Sequence, residues 1–318
     1  MSVRLTLGFV PLVDAAGLIV AQAKGFFAAE GLEVELSREA SWATVRDKVA
    51  FGALDGAHML APMVMARTLG AGGDPSPMIA PLTLATDASA ITVSARLGLD
   101  VGAGAAGLAG LVARRREMGA SPLTFSVVYP YSVHNYLLRL WMAGAGVDPD
   151  RDVNLTIAPP PRMADLLAGG VIEGFCAGEP WNSVAVAAGV GIVAARAADI
   201  APGAPDKVLG LAAGWAQGNP RTLAALIRAL VRALAWARAP QNRRSLAFLL
   251  AEPQYLAVPP DAVAAGLRSV VFSDGRPDPA QAQWLLDQMR RWGQIPADAA
   301  PQTPIYRADL YDAALADA

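Results

Sequence analysis

The sequence predicts an α/β chain folded as two lobes with a cleft between them. Strand-like and helix-like patterns alternate along the 318 residues, and that alternation runs twice before giving way to helices. The length also suits two lobes of ~100–200 residues each.

The first run opens with a strand over 5–10 and a helix through 18–27. A second strand covers 33–36, and Ser41 reads as the N-cap of a helix over 42–51. A third strand at 56–60 leads into a helix over 62–70. Strand patterns at 81–84 and 90–94 flank Thr86-Asp-Ala, and the Gly- and Ala-rich stretch 98–110 reads as a loop followed by a weak helix. The second run has a strand over 123–129, a helix over 133–144 capped by Ser132, and a strand over 154–158. It continues with a helix over 162–168, a short strand over 174–177, a helix starting at Pro180, and a strand over 192–195. From Lys207 onward helices are expected at 220–237, 243–250, 261–270 and 278–293, with a short final one inside 304–315. Such a chain leaves one lobe and returns to it, with crossovers near 85–90 and 195–211. The first lobe is then discontinuous, 1–88 with 206–318, and the second is 89–205.

Composition excludes several function classes. Hydrophobic residues make up 54% and charged ones 17%, below the usual ~25%. Cys176 is the single cysteine, so an intrachain disulfide is impossible and a thiolate metal site is disfavoured. His58 and His134 are the two histidines, and Lys24, Lys48 and Lys207 the three lysines. No metal ligand set and no cofactor is expected. A net charge of −2 offers no footprint for direct nucleic-acid contact. Pro11 and Asp14 interrupt the apolar start before any signal-peptide pattern is complete, and no run of 18 apolar residues exists. The expectation is a cytoplasmic protein with no membrane association, although a chain whose leader had been removed would read the same way.

No catalytic motif stands out: there is no P-loop, no H-E-x-x-H and no G-x-S-x-G, so no catalytic residue is assigned. Gly102-Ala-Gly104 is half of a dinucleotide fingerprint and reads as a loop. Cys176, in the apolar strand Gly-Phe-Cys-Ala-Gly, reads as a small hydrophobe. The chain does offer helix N-termini after strands, at Ser41-Trp42, Ser132-Val-His134 and Gly178-Glu-Pro180. Such ends present free backbone N–H groups to anions. His134 lies two residues past its cap, and Lys207 falls in the return crossover. On pattern alone a lone histidine is more often structural, and Lys207 by itself reads first as a solvated loop charge. His58 reads as a strand-end or core residue, Trp42 as lobe packing, and the Arg114-Arg-Arg116, Arg243-Arg244 and Arg290-Arg291 groups as solvated helix faces.

Several segments carry a family resemblance. They are Leu7-Gly-Phe-Val-Pro-Leu-Val-Asp-Ala-Ala16, Ala21-Gln-Ala-Lys-Gly-Phe-Phe27, Glu39-Ala-Ser-Trp-Ala-Thr-Val-Arg-Asp47 and Leu54-Asp-Gly-Ala-His-Met-Leu-Ala-Pro-Met63. Ser132-Val-His-Asn-Tyr-Leu-Leu-Arg-Leu-Trp141, Gly174-Phe-Cys-Ala-Gly-Glu-Pro-Trp181 and Tyr306-Arg-Ala-Asp-Leu-Tyr-Asp-Ala-Ala314 join them. Together they resemble the nitrate/bicarbonate group of ABC-transporter solute-binding proteins over nearly the whole chain. The resemblance implies a periplasmic-binding-protein-like fold of type II, with two crossovers. It also implies an anion site: the family's tryptophan falls on Trp42, its histidine on His134, its lysine on Lys207 and its turn glycine on Gly178. The family's glutamine does not carry over, and Ser89 stands at the aligned position. Bicarbonate binders of the family resemble the chain less, because they replace the histidine.

With no leader recognised, the resemblance is to the cytoplasmic, Nas-type nitrate/nitrite sensors, which hold an ANTAR-type antiterminator protein and release it when nitrate or nitrite binds. The alternatives are a solute-binding subunit of a nitrate or bicarbonate ABC transporter, and an enzyme of the same fold in thiamine-pyrimidine or menaquinone synthesis. The absence of a paired acid and base argues against the enzyme.

Overall fold

The structure, a computed structural model, describes residues 2–98 and 104–316. Its ten strands are β1 (Val3–Phe9), β2 (Leu32–Arg38), β3 (Gly56–Leu60), β4 (Met78–Thr86), β5 (Ser89–Ser94), β6 (Leu123–Val127), β7 (Val153–Ile157), β8 (Gly174–Gly178), β9 (Gly191–Arg196) and β10 (Pro205–Ala212). They form two five-stranded sheets, ordered β2-β1-β3-β10-β4 and β7-β6-β8-β5-β9. In each sheet four strands run in one direction. The fourth strand in the order, β10 or β5, runs antiparallel to both of its neighbours. The chain therefore carries the two-sheet α/β architecture of the periplasmic-binding-protein class.

The β3, β10 and β4 side of sheet one is buried on both faces, and so these strands read as largely apolar runs. Leu5, Leu7, Phe9, Leu209 and Leu211 point to a core shared with the helices Ala16–Ala23, Pro220–Arg238 and Arg243–Ala251. Met59, Leu60 and Val208 point the other way, into a second core with the helices Trp42–Ala50, Ala61–Leu69 and Pro279–Arg291. That second core is continuous with the packing of sheet two, where Phe125, Val127, Phe175 and Cys176 meet the helices Val133–Gly144 and Trp181–Ala187.

The N-caps expected at Ser41 and Ser132 are both present. Ser41 Oγ accepts from Thr44 N at 3.2 Å and Ser132 Oγ accepts from Asn135 N at 3.1 Å. The expected helix 18–27 is instead two pieces, Ala16–Ala23 and Phe26–Ala29, separated by Gly25 at φ 72°. The strand expected at 81–84 is the longer β4. Pro81 is accommodated because β4 lies at the end of the strand order, and the β10 register shifts opposite it. Gly104 precedes the helix Ala105–Glu117, whereas residues 102 and 103 of the Gly-Ala-Gly turn lie outside the described residues.

One expectation is overturned. Lys207 does not sit in a crossover loop; it is the third residue of β10 and is fully buried. Because β10 is flanked on both sides and covered on both faces, its Val-Leu-Gly-Leu-Ala run lacks the polar alternation that marks a half-buried strand. The outward crossover is only Asp87 and Ala88, between β4 and β5. Asp87 takes φ 55°, and its carboxylate accepts from Gly203 N at 3.0 Å, tying the outward crossover to the return one. Among the described residues no helix is long and apolar enough to cross a membrane.

Candidate functional site

Register places two polar groups opposite each other. Lys207, near the start of β10, pairs with Leu60 at the end of β3, so β10 delivers Asp206 and Lys207 where β1 and β3 end. In the other sheet Ser89, the first residue of β5, pairs with Gly178, the last of β8. The two edges meet through Ser89 Oγ, which donates to Asp206 Oδ2. Around this junction the short turn Val13–Ala15 supplies Asp14, β3 supplies His58, and the capped helix starts at Ser41 and Ser132 supply Trp42 and His134.

The result is a sealed polar cage. Asp14, His58, Ser89, His134 and Lys207 are each 0% exposed, and Trp42 and Asp206 1%. Lys207 Nζ donates to Asp206 Oδ1 at 2.5 Å. It also forms an ion pair with Asp14 Oδ2 at 3.0 Å. The other oxygen of Asp14 lies 2.8 Å from His58 Nε2. The Trp42 ring stands 5.4 Å from the His58 ring and 5.6 Å from the Lys207 ammonium, forming a wall that the cation faces. His134 Nε2 is 3.9 Å from Asp206 Oδ1. At Gly178 an added Cβ would lie 3.2 Å from Leu12 Cδ2 and 3.5 Å from Asp14 Oδ2, so glycine allows that strand end to close on the cage.

The charge states follow from burial and neighbours. Burial works to raise the Asp14 carboxyl, but the Lys207 ammonium and His58 overcome it and hold it down at about 2. For Lys207 burial works downward, and Asp14 and Asp206 more than compensate, so the ammonium's pKa is raised. His134 is pushed down to about 4 chiefly by burial, with Lys207 adding to the effect against the pull of Asp206 and Asp14. Its imidazole is therefore neutral near pH 7, with one N–H to give and one lone pair to accept with. Among the described residues neither ring nitrogen of His134 has a hydrogen-bond partner, and neither does Trp42 Nε1. These are buried polar groups without a partner, beside a buried cation.

Trp42, Ser89, His134, Gly178 and Lys207, singled out from five separate stretches of sequence, converge on this one cage. Two carboxylates that sequence reasoning passed over stand among them. Asp14 left a trace, as a lone acid inside the apolar run Val10–Ala16, while Asp206 is visible only as the neighbour of Lys207. His58 was read as a strand-end or core residue; it is fully buried within the cage wall. Cys176 lies in β8 with its thiol pKa raised by burial, as expected of a packing residue.

Comparison with known proteins agrees with this architecture. The NMT1-like family profile matches residues 2–251. The nitrate import ATP-binding protein NrtC of Synechocystis sp. is 38% identical over 317 residues, covering 92% of this chain and 46% of the relative. The bicarbonate transport ATP-binding protein CmpC of the same organism is 39% identical, again covering 92% of this chain and 46% of the relative. The chain thus spans about half the length of these two curated relatives. Among solved structures, the periplasmic nitrate-binding protein NrtA from Synechocystis PCC 6803 superposes with a TM-score of 0.90 at 28% identity, covering 99% of this chain and 89% of that one.

Proposed function

The chain belongs to the NMT1-like family, and on that premise we propose that it is a binding protein, not an enzyme, that captures nitrate or nitrite for an ABC transport system. The observation that carries this reading is the set of buried, unpartnered donors on His134 and Trp42, set beside the Lys207 ammonium in a sealed cage. Nitrate is planar and spreads one charge over three weak acceptors. Lys207 supplies the field, His134 an N–H, and the start of the Val133–Gly144 helix a partial positive charge. Trp42 closes one side, and Ser89 and the Gly178 turn close the other. Asp14 and Asp206 fix the ammonium in place and offset its charge, so the site has no surplus positive charge to compensate a second negative charge on the guest.

Bicarbonate, also planar and singly charged, is the second candidate, because the bicarbonate-transport relative is as similar in sequence as the nitrate-import one. The transport reading is preferred to a cytoplasmic sensor holding an ANTAR-type antiterminator, since all three relatives carry transport or solute-binding names. Isothermal titration against nitrate, nitrite, bicarbonate and sulfate tests it. The expected result is binding of one or more of the monovalent anions, none of sulfate, and affinity at least about tenfold weaker in His134→Ala, one charge-assisted hydrogen bond being worth that much. Unchanged affinity in His134→Ala, or sulfate as the best ligand, overturns the assignment.

A further inference from the structure

Behind the cage lies a further buried carboxylate, one that the anion reading does not use. Glu179 follows Gly178, and its backbone oxygen accepts from Val13 N at 2.9 Å. Its side chain turns away from the cage to lie on Gly266 of the helix Pro260–Gly266, where an added Cβ would stand 2.8 Å from Glu179 Cβ. Between that helix and the helix Trp181–Ala187 is a cavity of about 240 Å³, lined in part by Glu179, Ser183, Arg196, Asp261, Ala262 and Arg268. Glu179 is 1% exposed, while Arg196, Asp261 and Arg268 are open to solvent.

The charges around this cavity are two acids and two guanidinium groups. Among the described residues, none of the four forms an ion pair within 4.0 Å. Two of them have neutral partners: Glu179 Oε2 accepts from Ser183 N at 3.1 Å, and Arg196 Nη1 donates to Ser269 Oγ at 2.8 Å. Opposite charges held around one small space, yet not paired with each other, suit a guest carrying both signs. The volume is below the ~300 Å³ at which drug-sized sites begin, so that guest is small.

We propose that this cavity binds a free α-amino acid, its carboxylate between Arg196 and Arg268 and its ammonium toward Glu179 and Asp261. The walls come from both sheets' elements: Glu179, Ser183 and Arg196 from the second, Asp261 and Ala262 from the helix packed on the core of the first, with Arg268 in the turn that follows it. A bound amino acid therefore bridges the two lobes beside the turn that carries Gly178. The proposal does not depend on which anion the cage takes.

Calorimetric titration of the full chain with L-alanine and L-glutamate tests it, with acetate and methylamine as probes carrying one charge each. Expected is saturable binding of one or both amino acids, with neither single-charge probe binding as well, and affinity about tenfold weaker in both Arg268→Ala and Glu179→Gln. Asp261→Asn serves where a variant fails to fold, and an unfolding scan of each variant without ligand identifies such failures. The proposal is overturned by heat-silent titrations with both amino acids, by acetate matching alanine, or by folded Arg268 and Asp261 variants that bind as tightly as the parent.

Discussion

Asp14 is the residue on which the cage depends for its stability. It holds Lys207 and touches His58, and all three are fully buried. Replacing it by Asn leaves a buried ammonium with half its compensation, the situation that costs about 3–5 kcal/mol. Urea unfolding of Asp14→Asn is expected to show a loss of that size. The pH dependence has a definite sign. Asp14 is held below its ordinary value of 3.8, at about 2, so its contribution is complete above about pH 4 and is lost as pH falls through about 2. His134 titrates differently because its own shift comes mainly from burial, down to about 4 from 6.5. An oxyanion next to the ring favours the protonated form, so binding takes up protons as the solution is acidified. Nitrate affinity measured from about pH 7 to about pH 5 is expected to rise, and to become flat in His134→Gln; a fall with acidification contradicts the contact. The residues legible in the sequence were those whose type is scarce: two histidines and three lysines invite inspection. Carboxylates are common, and nothing local separates Asp206 from a surface aspartate; its burial is decided by strand pairing far away in the chain.

At the scale of elements, the caps and parallel strands were legible because their signals are local. Ser41 and Ser132 stand in front of helical apolar spacing, and the structure gives both a capping hydrogen bond. β10 was not legible, since a strand covered on both faces shows no period, and Pro205 and Asp206 look like loop residues. Missing β10 moved Lys207 from the core to a loop. The helix Val133–Gly144 has the most direct link to the site. Its cap Ser132 accepts from Asn135 N and donates to Tyr129 O at 2.6 Å, so one hydroxyl holds the helix start and the strand-end loop together beside His134. Ser132→Ala is expected to lower stability by ~1 kcal/mol in chemical denaturation and to weaken nitrate binding as well, because the helix start frays where His134 is presented. Loss of stability with unchanged binding separates the cap from the site.

At the scale of the molecule, the cage residues are buried where elements of the two sheets meet. Contacts that span them include the Ser89–Asp206 hydrogen bond, Trp181 Nε1 donating to Pro11 O at 3.0 Å, and Arg46 Nη1 donating to Tyr129 OH at 2.7 Å. The last lies outside the cage, so it bears on opening without touching the guest. Tyr129→Phe removes one neutral acceptor from a cationic donor and is expected to speed nitrate release about five- to tenfold in stopped-flow measurements, with little change in the association rate. The strand order has a further consequence, for synthesis on the ribosome. All five strands of sheet two, β5 through β9, occupy one unbroken stretch of chain, whereas β10 must insert between β3 and β4, which are made well over a hundred residues earlier. At ordinary elongation rates that wait is on the order of ten seconds. During it β3 and β4 have open edges while the second sheet can already close. The nascent chain thus has all the strands of its second sheet before the first sheet receives its last one.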